Sequence, residues 1–282
     1  MFDKALAALD LSPAELPLLD CLPFLRKWGV HHLVLTHIIR VGYGQGAALA
    51  HEQDYIEWLE QSAIPLGIAG LSVEVKVQAS GEPARAILAI AEETAVDLII
   101  IGSRGQNRFS KMFLGSVARE VIRATTKPLL LEWIEPTEQA TQARCNAVCI
   151  DTLAHIIFAT DFSERSLAAE QIVLALAPVA LHIECIHVLP VESDTAADRL
   201  RLERQIKLDA LVASLKAAGG KVSGKLLQGL PATEIAAYAE AENASLMVVG
   251  KHGQNWLTGK IIGSTAAKIC ESAGRPVLMV PG

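Results

Sequence analysis

Apolar and polar residues along this chain follow two rhythms. LSVEVKVQ (71–78) alternates, with Leu71, Val73, Val75 and Val77 apolar and Ser72, Glu74, Lys76 and Gln78 polar. A period of two predicts a strand with one covered face. DLIIIG (97–102) and PLLLEW (128–133) are unbroken apolar runs between breakers, which suits strands covered on both faces. Lys4 to Leu9 predicts a short apolar strand and LVLTHII (33–39) a second. Helix-length segments lie between, such as PARAILAIAEET (83–94), with Pro83 suited to a first helical position. Strands alternating with helices imply a parallel sheet with right-handed crossovers.

The same order then returns. HIIFAT (155–160), LHIECIHV (181–188), KVSGKLLQ (221–228), SLMVVG (245–250) and PVLMVP (276–281) predict five more strands. The segment 192–220 reads as an amphipathic covering helix that offers Leu200, Leu202, Leu208, Leu211 and Leu215 to the core. The recurrence extends to individual residues. VDLIIIGSRGQNRFSKMFLGSVAREVIRATTKPLLL (96–131) aligns without gaps on ASLMVVGKHGQNWLTGKIIGSTAAKICESAGRPVLM (244–279), at a constant offset of 148. Gly81-Glu82-Pro83 and Gly229-Leu230-Pro231 keep that offset. Upstream, ALDLS (8–12) matches ATDFS (159–163) at 151. One domain is written twice, over 1–138 and 152–282, with residues 132–155 as a linker that is polar at first. The copies differ near their first loops. Pro17 and Pro23 should kink or break the first helix of the first copy.

Composition narrows the class. With 282 residues, a length of two ordinary domains, the chain carries 51% hydrophobic residues and a net charge of −6. That supports a buried core and argues against a general nucleic-acid or membrane-surface binder, which needs a basic face. The apolar run at 172–183 contains Pro178 and falls short of the roughly 20 residues of a spanning helix. The first residues lack the basic stretch of a secretory signal. Cys21, Cys145, Cys149, Cys185 and Cys270 form no CxxC pair, which suits reduced thiols in a cytoplasmic protein. Cys145 and Cys149 alone would make half a metal site, with no matching His/Cys pair beside them.

The chemistry gathers at glycines. In each copy an apolar strand ends in Gly, followed by Gly-2x-Gly-9x-Gly-Ser: Gly102, Gly105, Gly115 and Ser116, then Gly250, Gly253, Gly263 and Ser264. Gly115-Ser116 and Gly263-Ser264 would open helices, where free N–H groups and the helix dipole favour phosphate. Asp10 and Asp161 end the first strands on the same carboxyl edge, where open α/β sheets bind ligands. A carboxylate there can accept from a ribose hydroxyl or an adenine amino group. Glycines at strand ends also serve tight turns, and a serine at a helix start also serves as a cap. The pattern is neither a GxxxxGK[S/T] phosphate loop nor a G-x-G-x-x-G dinucleotide fingerprint. No nucleophile elbow or zinc helix occurs.

With Asp10-x-Ser12 and Asp161-x-Ser163 after the first strands, the glycine pattern resembles the universal stress protein family, over essentially the whole chain as a tandem member. GKHGQNWLTGKIIGST (250–265) and ATDFSERS (159–166) are similar to its nucleotide-binding pattern. The resemblance implies an α/β fold: two open parallel-sheet domains with helices on both faces, like adenine-nucleotide hydrolases. It implies pairing through the last strands, so that the copies form a pseudo-dimer within the chain, with a further homodimer open. It also implies bound ATP or AMP, with Mg²⁺ carried by the phosphates. Asp161 would contact the adenosine and the Val188 backbone the adenine. Gly250, His252 and Gly253 would line ribose and phosphates, and Gly263, Ser264 and Thr265 would hold phosphate. The matching set in the first copy is Asp10, Ile38, Gly102, Arg104, Gly105, Gly115, Ser116 and Val117.

This favours a nucleotide-dependent stress-response switch sited in the second copy, with at most slow hydrolysis and no assigned catalytic residue. A nucleotide-free scaffold and an ATP-dependent enzyme of the same fold are the rivals. Neither DLSPA nor DFSER supplies the SGGxDS-like loop of the PP-loop enzymes, which weakens the last. His37 and His187, at equivalent strand ends, are expected as hydrogen-bonded core or rim residues. Arg104, Arg108 and Lys111, and Lys251, His252 and Lys260, make the glycine loops basic, for steering phosphate or as solvated charge. Trp58, Trp133 and Trp256 suit packing or an interface.

Overall fold

A computed structural model describes residues 1–12, 15–41, 51–103, 114–136, 143–145, 151–191, 195–253 and 262–282. The chain folds as two compact units, Met1–Ile150 and Asp151–Gly282.

In the first unit β1 is Lys4–Leu9, α1 Glu15–Cys21, β2 His32–Arg40, α2 Glu52–Ile68, β3 Ser72–Ser80 and α3 Pro83–Glu93; β4 Leu98–Gly102, α4 Ser116–Ala124 and β5 Leu129–Glu132 follow. The five strands lie parallel in the order β3-β2-β1-β4-β5. The register sets Ala7 beside both Leu35 and Ile100. The continuous apolar runs are the central strands: Leu98, Ile99 and Ile100 are fully buried, because helices cover both faces of a parallel sheet. The alternating run at 71–78 forms β3, half-buried on one face and exposed at Ser72, Glu74 and Gln78. Such a pattern is what an edge strand needs.

The expected break falls at Pro23, whereas Pro17 lies inside α1 without ending it. α1 ends after seven residues and passes into a 3₁₀ segment, Leu22–Trp28, with Pro23 at its start. The linker holds structure that its composition did not announce. Ile134–Pro136 forms β6 and Ala143–Cys145 forms β7, an antiparallel pair in the register Ile134 to Cys145. Strands of three residues are too short to show a period.

The second unit repeats the plan. It comprises β8 Ile156–Ala159, α5 Leu167–Leu176, β9 Ile183–Leu189, α6 Thr195–Ala217, β10 Val222–Gln228, α7 Pro231–Ala241, β11 Leu246–Gly250, α8 Ser264–Ser272 and β12 Val277–Val280. A 3₁₀ turn, Glu164–Ser166, precedes α5. The strand order is β10-β9-β8-β11-β12, all parallel. The repeat reaches backbone strain. Among the described residues the non-glycine positions with positive φ are Leu11 (59°) and Phe162 (56°), and Ala95 (51°) and Asn243 (50°). These are two equivalent pairs. The first pair sits in the turn after the opening strand, the second just past α3 and α7.

α6 covers its sheet as the periodicity implied, with one correction. Leu208, Leu211 and Leu215 are buried, Leu200 is half-buried, and Leu202 is 64% exposed. Gly224 in β10 lets the helix approach: a Cβ there would meet Val212 Cγ2 at 2.9 Å and Leu208 Cγ at 3.0 Å. At 3.6 residues per turn Leu202 falls about 120° from Leu208, away from the face that Leu208, Leu211 and Leu215 share, so the helix turns it to solvent. Among the described residues no helix is long and apolar enough to cross a membrane. Cys149 and the Cys145 side chain, which alone would make half a metal site, lie outside the described residues. No cluster of three or more His, Cys, Asp or Glu could hold a metal ion among the described ones.

Candidate functional site

The second unit gathers its site at the carboxyl edge of the sheet. After β8 the chain turns through Asp161, whose Oδ1 accepts the Ser163 N–H at 3.0 Å and the Ser163 hydroxyl at 2.6 Å. Phe162 takes its positive φ inside this turn, and its N–H donates to Thr160 Oγ1 at 3.0 Å. The other carboxylate oxygen of Asp161 faces the glycine loop. A Cβ on Gly253 would stand 2.6 Å from Oδ2, so only glycine lets loop and carboxylate approach this closely.

The remaining glycines close the cradle. A Cβ on Gly250 would lie 3.3 Å from the His252 carbonyl oxygen and 3.8 Å from Ser166 Cα. One on Gly263 would lie 3.1 Å from the Lys251 carbonyl oxygen and 3.6 Å from His252 Cα. The Gly263 N–H donates to that Lys251 oxygen at 2.9 Å. Asp161, Gly250, His252, Gly253 and Gly263 therefore meet in one place. Gly263 is the N-cap of α8 and has no side chain with which to bond the first turn; exposed Ser264 and half-buried Thr265 open the helix. That is an arrangement for an anion.

Val188 enters through its backbone. Ile183 N–H donates to Lys221 O, toward β10, while Thr160 N–H donates to Ile186 O, on the β8 side. Alternation along a strand then turns the N–H and C=O of Val188 toward β8. The β8 register ends at Ala159, opposite Ile186, so those groups look past its end into the crevice beside Asp161. Ile38 is placed in the same way: His32 N–H donates to Asp3 O on the β1 side, and the β1 register ends at Leu9, opposite His37.

In the first unit Asp10 Oδ1 accepts the Ser12 N–H at 3.1 Å, and Gly115 N–H donates to Ser103 O at 2.9 Å. Gly102 closes β4, and Ser116 and Val117 open α4. Arg104 and Gly105 lie outside the described residues, as do Arg108, Lys111 and Lys260 of the basic loops and Trp256. Trp133 is 7% exposed and Trp58 half-buried.

The histidines have the expected structural part. His37 Nδ1 lies 2.9 Å from Leu9 O and His187 Nδ1 2.8 Å from Thr160 O. Since a carbonyl only accepts, Nδ1 carries the proton in both. Burial holds both rings below the usual histidine range. Sequence reasoning missed two other features. Lys251 is 4% exposed, inside the fold rather than on a solvated loop, and burial lowers its ammonium to about 8. Glu15, 4% exposed, stands at the position of Ser166 at the 151 offset; that pairing was the one signal for it.

Comparison with known proteins places the chain in a family. Residues 1–131 and 153–281 each match the profile of the Universal stress protein family. Universal stress protein YxiE of Bacillus subtilis is 30% identical over 147 residues, which is 46% of this chain and 99% of that relative. Universal stress protein Slr1230 of Synechocystis is 27% identical over 186 residues, covering 64% of this chain but only 57% of the relative. The crystal structure of a universal stress protein from Archaeoglobus fulgidus superposes with a TM-score of 0.73 at 22% identity, over 99% of this chain and 96% of that one. At that identity the likeness speaks for the fold.

Proposed function

The chain belongs to the universal stress protein family, and we propose that its second copy binds an adenine nucleotide, ATP or AMP, as a regulatory switch. The observation that carries this reading is the meeting of Asp161 Oδ2 with Gly253, at a distance a side chain would close. Beside it is a helix start whose N-cap, Gly263, has no side chain to offer the first-turn N–H groups. Asp161 accepts hydrogen bonds from the ribose hydroxyls or the adenine amino group. The Val188 N–H and C=O address the adenine edge. Gly250, His252 and Gly253 leave room for the ribose and phosphates, and the first turn of α8, with Ser264 and Thr265, holds phosphate. Mg²⁺ would travel with the phosphates and supply charge neutralisation there.

Hydrolysis is slow in this reading. A general base must reach the attacking water, and the nearest histidine of the strand ends, His187, is committed through Nδ1 to Thr160 O and packed on Phe162 at 4.9 Å between rings. The reading includes pairing of the copies through β5 and β12, as the family resemblance implies. Hydrogen exchange on the full chain tests it: paired strands protect every amide along β5 and β12, whereas an open edge leaves alternate amides fast.

The test of binding is to denature the purified chain and quantify released adenine nucleotide, beside Gly263→Val and Gly115→Val. Both glycines have extended, negative-φ backbone (φ −67° and −56°), which valine adopts without strain. About one nucleotide per chain, lost with Gly263→Val and kept with Gly115→Val, supports the second-copy site. Loss with Gly115→Val alone moves the site to the first copy. No nucleotide, and no binding of added ATP or AMP, leaves the nucleotide-free scaffold.

A further inference from the structure

Among the described residues β3 pairs with β2 alone and borders the sheet of the first unit. It is nine residues long, where natural edge strands are commonly short or blunted. Two bonds fix its backbone: Ser72 N–H donates to His31 O at 2.8 Å, and Ser80 O accepts the Val41 N–H at 3.2 Å. Even-numbered residues therefore turn their N–H and C=O groups toward β2, and alternation turns those of Val73, Val75 and Val77 to the other side. A cleft of about 410 Å³ opens along Val75–Gln78, lined also by Ile56 and Glu60 of α2 and by Ile90 and Glu93 of α3. Consecutive strand residues point to opposite faces, so a cleft bounded by such a run and by both helices follows the border of the strand. Two charges mark this border. Exposed Glu74 lies 3.3 Å from Lys4, and Lys76 is paired with Glu93 and stands 3.7 Å from Glu74.

Turned antiparallel against a copy of itself about Val75, this strand matches at each position. Val75 opposes Val75, Val73 opposes Val77, Glu74 opposes Lys76 and Ser72 opposes Gln78. The residues whose backbone groups face outward then meet as hydrogen-bonded pairs. Glu74 and Lys76 fall in the non-hydrogen-bonded positions, where side chains come closest. The adjacent registers that keep the backbone bonds are penalised: centring on Glu74 sets Glu74 against Glu74, and centring on Lys76 sets Lys76 against Lys76. The border strand of the second unit, β10, has no such match, since Val222–Gln228 holds Lys225 but no acidic residue. We propose that β3 is a docking edge for a second copy of this chain, joined antiparallel about a two-fold axis at Val75. The axis makes the Glu74–Lys76 contact twice, and Lys76 then stands between Glu93 of its own chain and Glu74 of the second. This edge lies at the opposite border of the sheet from β5 and acts independently of the nucleotide sites. A contact confined to one strand edge is small, so the association is weak and follows concentration.

The test is analytical sedimentation of the full chain over a wide range of concentration. The unsubstituted chain should form a dimer as concentration rises. Glu74→Lys and Lys76→Glu should each raise the dissociation constant by about tenfold or more, because two like-charge contacts replace two opposite-charge ones. An equimolar mixture of the two variants should dimerise again, since each supplies the charge that the other lacks; a folding defect could not be repaired in this way. In the unsubstituted chain, hydrogen exchange at Val73, Val75 and Val77 should slow as the dimer forms, a readout that needs no variant. A chain that stays monomeric throughout overturns the proposal. So does a dimer that both single variants keep, which would use another surface. A mixture of folded variants that fails to associate overturns it as well, as do valine amides that stay fast in the dimer.

Discussion

Gly253 has a carboxylate oxygen where a Cβ would be, and that oxygen belongs to a side chain that can swing away. Gly253→Ala should therefore leave the fold intact while turning Asp161 out of the crevice. The expected loss is about tenfold in nucleotide affinity, roughly 1.4 kcal/mol, with an unchanged circular dichroism spectrum. Glu15 makes the other prediction at this scale. Its folded carboxyl holds a proton up to about pH 8, whereas the unfolded one releases it near the ordinary carboxyl value of 4.5. Between those values the native state binds more protons than the unfolded state, so stability falls as pH rises. Glu15→Gln should remove a slope approaching 1.4 kcal/mol per pH unit, seen in urea unfolding at pH 5, 6.5 and 8. An identical slope in both chains would contradict the burial of this carboxyl. The sequence made Asp161 and the glycines legible because their spacing occurs twice. It hid Glu15 and Lys251, because a lone charged residue in a loop ordinarily reads as solvated.

The elements were legible for a related reason. Fully buried strands such as Leu98–Gly102 and Leu246–Gly250 need unbroken apolar residues, and the edge strand Ser72–Ser80 needs alternation, so the two rhythms separate centre from edge. Where leucines were grouped without regard to their angle on the helix, one was misassigned. In α6, Leu202 and Leu208 are both leucines of an amphipathic helix, yet one is 64% exposed and the other fully buried against β10 near Gly224. Leu208→Ala should cost about 2–5 kcal/mol of unfolding free energy, and Leu202→Ala within about 0.5 kcal/mol. Equal costs would mean that α6 does not sit on the sheet as described. The short β6–β7 pair was invisible for want of length, and the prolines of the first copy predicted the break after Cys21 without showing the 3₁₀ segment that follows.

At the scale of the whole molecule, duplication followed by divergence explains why one chain carries two versions of one site. The backbone of the turn, the glycine cap of α4 and α8 and the histidine bonded to the first strand's end are kept in both. The charge beneath the turn is not. The account therefore stands or falls on whether the second copy holds a nucleotide. The measurement that decides it is chromatographic quantification of adenine nucleotide released on denaturing the purified chain and its Gly263→Val and Gly115→Val variants. The account predicts about one equivalent from the unsubstituted chain and from Gly115→Val, and none from Gly263→Val. Absence of nucleotide from all three, with no binding of ATP or AMP added back, would contradict it.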